Sequence, residues 1–241
     1  MAMEITDDGR EIELHTPRFS VDNTFPVPDP LPRQAAFCAF VGPPRSGKTS
    51  LTTSLLTQNE PKLYSGVYDH VFLFVPAASF ASMKDSPFKS HDKVIHEFSQ
   101  ETLAQLVSTL DQTRKKGENT LVIIDDFMTE LKNNSLRKDF ERLVANRRHL
   151  RVSVWVISQI YRGIPASTRK MISHLFLFRP SNLRELETIR EELVPREKTE
   201  FQRIFNYIFK PGADPHTFMM LDTANGEIYN RFAKIRVGPP S

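Results

Sequence analysis

The sequence has a single cysteine, Cys38, so it cannot form an internal disulfide, and a reducing compartment is expected. It has no long apolar run: stretches such as Val71–Val75 and Leu121–Ile124 fall far short of the about 18–20 residues that span a bilayer. The opening, MAMEITDDGREIE, is acidic and polar, so it is not expected to be a secretory signal. No repeat of fixed period is visible. A large charge excess is also missing. Thirty-two Lys and Arg against 29 Asp and Glu leave +3, with an isoelectric point near 9.0. That balance is too small for a surface that coats DNA, so any nucleic-acid contact is expected to be local. What remains is a chain of 241 residues with 39% hydrophobic and 25% charged side chains, ordinary values for a globular protein. Its length allows one large α/β domain or two small ones.

Residues 1–34 read as an N-terminal arm, because Pro17, Pro26, Pro28, Pro30 and Pro32 leave little room for helix or sheet. Such an arm is either a loosely ordered extension or a segment that wraps a neighbouring subunit. Residues 35–235 read as one domain and 236–241 as a tail. Within the domain, short apolar runs alternate with helical patterns. Strands are expected at Ala36–Val41, Val71–Val75, Leu121–Ile124, Val152–Ile157 and His174–Phe178. Helices are expected at Lys48–Thr57, Ser99–Lys115, Ser135–Arg148, Leu183–Leu193 and Glu197–Ile208. Two further strands, Thr217–Leu221 and Glu227–Tyr229, flank an Asn225–Gly226 dipeptide that favours a hairpin turn. Continuous apolar strands alternating with amphipathic helices imply a mainly parallel sheet covered on both faces. Ligands of such sheets sit beyond the carboxyl ends of the strands, which narrows the search for chemistry.

Directly after the first strand, residues 42–49 (GPPRSGKT) match G-x-x-x-x-G-K-[ST] in full and lead into a helix. Backbone N–H groups of Gly42, Pro-flanked Arg45, Ser46, Gly47 and the helix start at Lys48, Thr49 and Ser50 would cradle a polyanion. Pro43 and Pro44 complete the loop. Gly42 and Gly47 permit backbone angles and a close phosphate approach that side chains would block. Lys48 can reach the β- and γ-phosphates of ATP, and the Thr49 hydroxyl can ligate Mg²⁺. Asp125 and Asp126 end the strand LVII as a Walker B pair, the first for the metal and the second to polarise the attacking water. Ser158 and Gln159 follow the fourth strand. Gln159 is the stronger candidate to sense the γ-phosphate or orient water.

The densest basic cluster runs from Arg142 to Arg151. It is either a solvated helix end or the source of an arginine finger acting on a neighbouring subunit, with Arg147 and Arg148 preferred. Arg169 and Lys170 form a second candidate pair. Lys84, Lys89, Lys93, Lys132 and Arg137 are candidates for a surface that meets DNA.

The ordered set of GPPRSGKT, IIDD, NRRH before a strand, and Gln159-Ile-Tyr-Arg-Gly-Ile164-Pro165…Arg169 resembles the genome-packaging ATPases of large double-stranded DNA viruses and their virophage relatives, within the FtsK–HerA superfamily. The resemblance spans Phe37 to Phe178. It implies a three-layer P-loop sandwich of RecA-like type, working as a homo-oligomeric ring, hexamer or pentamer, that drives double-stranded DNA into a preformed capsid at a portal vertex. It also implies ATP and Mg²⁺, and action in the host cytoplasm at a viral factory or in the virion. Carried over by position, Lys48 and Thr49 bind nucleotide and metal, Asp125 and Asp126 form Walker B, Gln159 is the sensor, and Arg147 or Arg148 is the finger. Many relatives carry Glu where this chain has Asp126. Two other readings fit a P-loop: an assembly or switch ATPase that moves no nucleic acid, and a small-molecule kinase. A kinase needs an arginine-bearing lid, for which Leu183–Leu193 could be mistaken.

Overall fold

The computed structural model describes residues 25–33, 35–82, 88, 93–180 and 182–237. Along the chain these form β1 (Phe37–Val41), α1 (Lys48–Thr57), β2 (His70–Phe74), α2 (Ala77–Ser82), β3 (Val94–Ile95), α3 (Gln100–Lys115), β4 (Thr120–Asp125) and α4 (Asn134–Asn146). They continue with β5 (Val152–Ser158), α5 (Ala166–Arg169), β6 (His174–Phe178), α6 (Leu183–Leu193), α7 (Lys198–Ile208), β7 (Phe218–Asp222), β8 (Glu227–Asn230) and β9 (Ala233–Lys234). The strands make one sheet in the order β3-β2-β4-β5-β1-β6-β7-β8-β9. Pairing is parallel from β3 through β6 and antiparallel from β6 to β9.

Every residue of β1, β4 and β5 is buried, as continuous apolar strands at the centre of a two-faced sheet require. Successive side chains point to opposite faces, so each strand supplies two cores. Phe37, Ala39 and Val41 of β1 pack with Leu103, Leu106 and Leu110 of α3, Phe140 and Leu143 of α4, and the apolar faces of α6 and α7. Cys38 and Phe40 face the other way, onto Leu55 of α1, Tyr64 and Trp155. The expected sandwich is what the chain forms. The expected hairpin is also present, with Gly226 at φ +64° between β7 and β8.

One expectation changes. Part of the arm belongs to the domain: Phe25, Val27 and Leu31 are buried in the second core, and the Tyr64 hydroxyl donates to the Pro32 carbonyl. Residues 25–33 therefore cover this chain's own sheet, and the folded unit begins no later than Phe25. Residues 1–24 of the arm, residues 238–241 of the tail, Lys84 and Lys89 lie outside the described residues. Leu183–Leu193, the segment that a kinase reading would mistake for a lid, is packed on the sheet. In α6, Leu186, Ile189 and Leu193 are buried against the sheet. Among the described residues, no helix is long and apolar enough to cross a membrane.

Candidate active site

The strand order puts β5 between β1 and β4, so three loops meet at the carboxyl edge. The end of β5 is tied to both neighbours. Its Ser158 carbonyl accepts from the Gly42 N–H at 3.2 Å, and its Ile157 carbonyl accepts from the Asp126 N–H at 3.3 Å. The phosphate loop, the two carboxylates and Gln159 are thereby held in one place by backbone alone.

Lys48 is buried at the start of α1, and its ammonium donates to the carbonyls of Gly42 at 2.7 Å and Pro43 at 2.8 Å. Burial pulls its pKa below the usual lysine value, opposed by the charges of Asp125 and Asp126. Asp125 is buried too. Desolvation, then the neighbouring charge of Asp126, push its pKa up to about 6, against the pull of Lys48. A buried carboxylate held reluctantly ionised beside a lysine favours an added cation. Together with the Thr49 hydroxyl, it offers the hard oxygen donors that suit Mg²⁺. The Ser46 hydroxyl is buried and has no hydrogen-bond partner among the described residues. The residues present therefore fit both nucleotide and metal.

Asp126 leaves the strand at φ +62°, which turns its carboxylate toward Gln159. The Gln159 amide donates to both of its oxygens, at 3.2 and 3.4 Å. Beside this pair opens a cleft of about 570 Å³, walled by Lys132, Arg137, Ser158 and Arg162 as well. Ser158 is committed elsewhere, its hydroxyl donating to the Ile160 carbonyl at 2.8 Å.

Gly47 has the backbone angle expected of it, and both glycines also meet the protein's own packing. A Cβ on Gly42 would lie 2.5 Å from the Phe178 Cβ, so β6 packing forbids it. Gly47 sits at φ +103°, and a Cβ there would lie 3.1 Å from Nδ1 of His216. Gly42 is required by packing on Phe178, and Gly47 by its left-handed backbone, with His216 close on its outer side. His216 itself, on the loop before β7, carries no local signal in the sequence.

The finger candidates divide. The Arg147 guanidinium donates to the carbonyls of Ala35 and Val144, both at 2.9 Å, and fastens the end of α4 to the start of β1. Two of its five N–H groups are thus used within the fold and burial lowers its pKa, which gives Arg147 a structural role that its reading as a catalytic residue does not include. Arg148 is exposed with no partner among the described residues. Both lie at the amino edge of the sheet, away from this chain's own phosphate loop. Arg169 is likewise engaged, bidentate to Glu192 at 2.7 and 2.8 Å and stacked over Tyr161, while Lys170 is exposed. Lys93 donates to His70 and lies over the Phe72 ring, so it is not a free cation. Lys132 and Arg137 do reach the cleft beside Asp126.

A G-x-x-x-x-G-K-[ST] loop, a two-acid strand end and a glutamine between them on a mainly parallel sheet define a P-loop ATPase. The comparisons with known proteins narrow this class. The sequence pattern of the poxvirus A32 protein family matches residues 29–210, and the chain belongs to that family. No curated protein matches it by sequence. The fold is similar to B204, the DNA-packaging ATPase from Sulfolobus turreted icosahedral virus, at 14% identity and TM-score 0.62, covering 84% of this chain and 99% of that one. It is similar also to the genome-packaging NTPase B204 from Sulfolobus turreted icosahedral virus 2 in complex with ATP-gammaS, at 13% identity and TM-score 0.58, over 83% and 98%. ATPases 2 and 3 of EssC from Geobacillus thermodenitrificans match at 11% and TM-score 0.53, over 86% of this chain and 41% of that one.

Proposed function

We propose that this A32-family ATPase is the motor that packages a viral genome, hydrolysing ATP to move double-stranded DNA into a capsid. The observation that carries this reading is the stitched three-loop edge, in a fold that parallels a DNA-packaging ATPase along nearly that protein's whole length. In this reading Lys48 leaves its two carbonyls for the β- and γ-phosphates. Thr49 and Asp125 would hold Mg²⁺, which would neutralise phosphate charge when bound. Asp126 takes a proton from the attacking water, with Gln159 fixing the carboxylate's orientation. Arg148, the unpaired member of the basic cluster, reaches the nucleotide of an adjacent subunit in a homo-oligomeric ring. Lys132, Arg137 and Arg162 present charge to DNA next to the hydrolytic pair. The chain works at the capsid vertex, in the infected cell or the virion.

The kinase reading loses its lid, because α6 is part of the core. The decisive experiment is phosphate release with and without double-stranded DNA, alongside the mass of the assembly. Stimulation by DNA in an oligomer is expected. Turnover that is indifferent to DNA would return the chain to the assembly-ATPase reading.

A further inference from the structure

The phosphate loop has an outer face as well as an inner one. Its outer face is touched by a residue from the far end of the chain. Nδ1 of His216 lies 3.1 Å from the Ser46 carbonyl oxygen, and a carbonyl can only accept, so this nitrogen carries the hydrogen. His216 is held in turn. Asp214 accepts from the His216 backbone N–H at 2.8 Å through its side chain and from the Thr217 N–H at 2.9 Å through its carbonyl. Arg231, at the turn between β8 and β9, forms an ion pair with the Asp214 carboxylate. The antiparallel part of the sheet thus ends in an imidazole braced against the loop.

From this contact we infer that His216 is a positioning residue for nucleotide binding: it fixes the peptide between Ser46 and Gly47 so that the Gly47 N–H faces the phosphates. The peptide unit is planar and trans, so its C=O and N–H point in opposite directions. Holding the Ser46 carbonyl on the imidazole turns the Gly47 N–H away from His216, to the side where the loop's N–H groups converge on an anion. That N–H has no partner among the described residues. Without a tie the unit is free to rotate, because Gly47 at φ +103° has no side chain to restrict it. His216 is exposed, so the core does not depend on it. Its contribution is to the geometry of one donor.

The inference rests on the reading of residues 42–49 as the phosphate site, and the controls separate the two. ADP and ATP binding to the full-length chain would be measured by calorimetry for the parent, Lys48→Ala, His216→Ala, His216→Asn and His216→Leu. Asn places an amide donor where Nδ1 stands, whereas Leu has nearly the same shape and no donor. Loss of one hydrogen bond should weaken ADP affinity about three- to tenfold in the Ala and Leu variants. The Asn variant should stay within about twofold of the parent. At saturating ATP, kcat should hardly change, so the loss appears in KM. Parent-like affinity in His216→Leu overturns the proposal, and so does equal weakening in Asn and Leu. Should His216→Ala not fold, the Asn–Leu pair alone decides. A parent that binds no nucleotide, or a Lys48→Ala protein that binds like the parent, defeats the phosphate-site reading instead.

Discussion

The side-chain amide of Gln159 donates to both carboxylate oxygens of Asp126, at 3.2 and 3.4 Å. The two residues come from neighbouring strand ends, and the left-handed backbone at Asp126 is what turns the carboxylate across to β5. The amide nitrogen is thus engaged by Asp126, which leaves the amide oxygen as the free acceptor of that side chain among the described contacts.

Replacing Asp126 with Asn should leave ATP binding intact and reduce hydrolysis by about 10²–10⁴, the usual worth of a positioned base. Gln159→Glu should slow hydrolysis as well, because a second carboxylate would stand against the first. Single-turnover phosphate release from both variants, with nucleotide binding measured in parallel, checks this. A fast Asp126→Asn enzyme would falsify the assignment of the base.

Asp125 predicts a pH dependence in the metal-free, nucleotide-free protein. Its folded pKa, about 6, lies above the ordinary value of 3.8, so the folded state holds the proton more tightly than the unfolded chain does. No cost arises below about pH 4, where both states are protonated; the cost grows from there to about pH 6 and is complete above it. Asp125→Asn should therefore be more stable than the parent at pH 8, by up to about 3 kcal/mol, and the gap should close by about pH 4. Thermal melts across that range test the sign.

Arg147 and Arg148 should behave as opposites despite being adjacent. Arg147→Ala removes two hydrogen bonds to backbone carbonyls and should cost about 1–3 kcal/mol of stability. Arg148→Ala should stay within about 0.5 kcal/mol of the parent. If Arg148 is the finger, its Ala variant binds ATP, hydrolyses it poorly, and regains partial turnover when mixed with Lys48→Ala protein. No recovery in co-assembled mixtures would remove Arg148 from the mechanism.

Gly42 predicts an unusual pattern of rescue. Gly42→Ala places a methyl 2.5 Å from the Phe178 Cβ and should destabilise the protein by about 1–3 kcal/mol. Phe178→Ala keeps the offending Cβ, so the double variant should show no relief. Denaturant melts of the single and double variants read this directly.

Much of this site could be read from residue order. The strands β1, β4 and β5 announced themselves because burial on both faces makes them continuously apolar, and the phosphate loop, the two acids and Gln159 follow those strands directly. The strand β3 has two residues and α2 buries none of its own, so neither leaves a periodic signature. Phe25, Val27 and Leu31 were hidden by the prolines among them, which hinder regular structure without preventing a strip of chain from lying on a sheet. Arg147 and Arg148 are indistinguishable in composition. Only the turn after Asn146 decides which points inward. His216 shows no pattern because its partner is 170 positions away.

That separation has a consequence for the chain's history. The ribosome makes Ser46 first, and at about 5–20 residues per second the imidazole that braces it follows some ten to thirty seconds later. Throughout that interval the nascent protein carries the full phosphate-loop sequence without its brace. The phosphate loop is thus completed by an element translated 170 residues later, and if His216 positions the loop as inferred, tight nucleotide capture waits for that element.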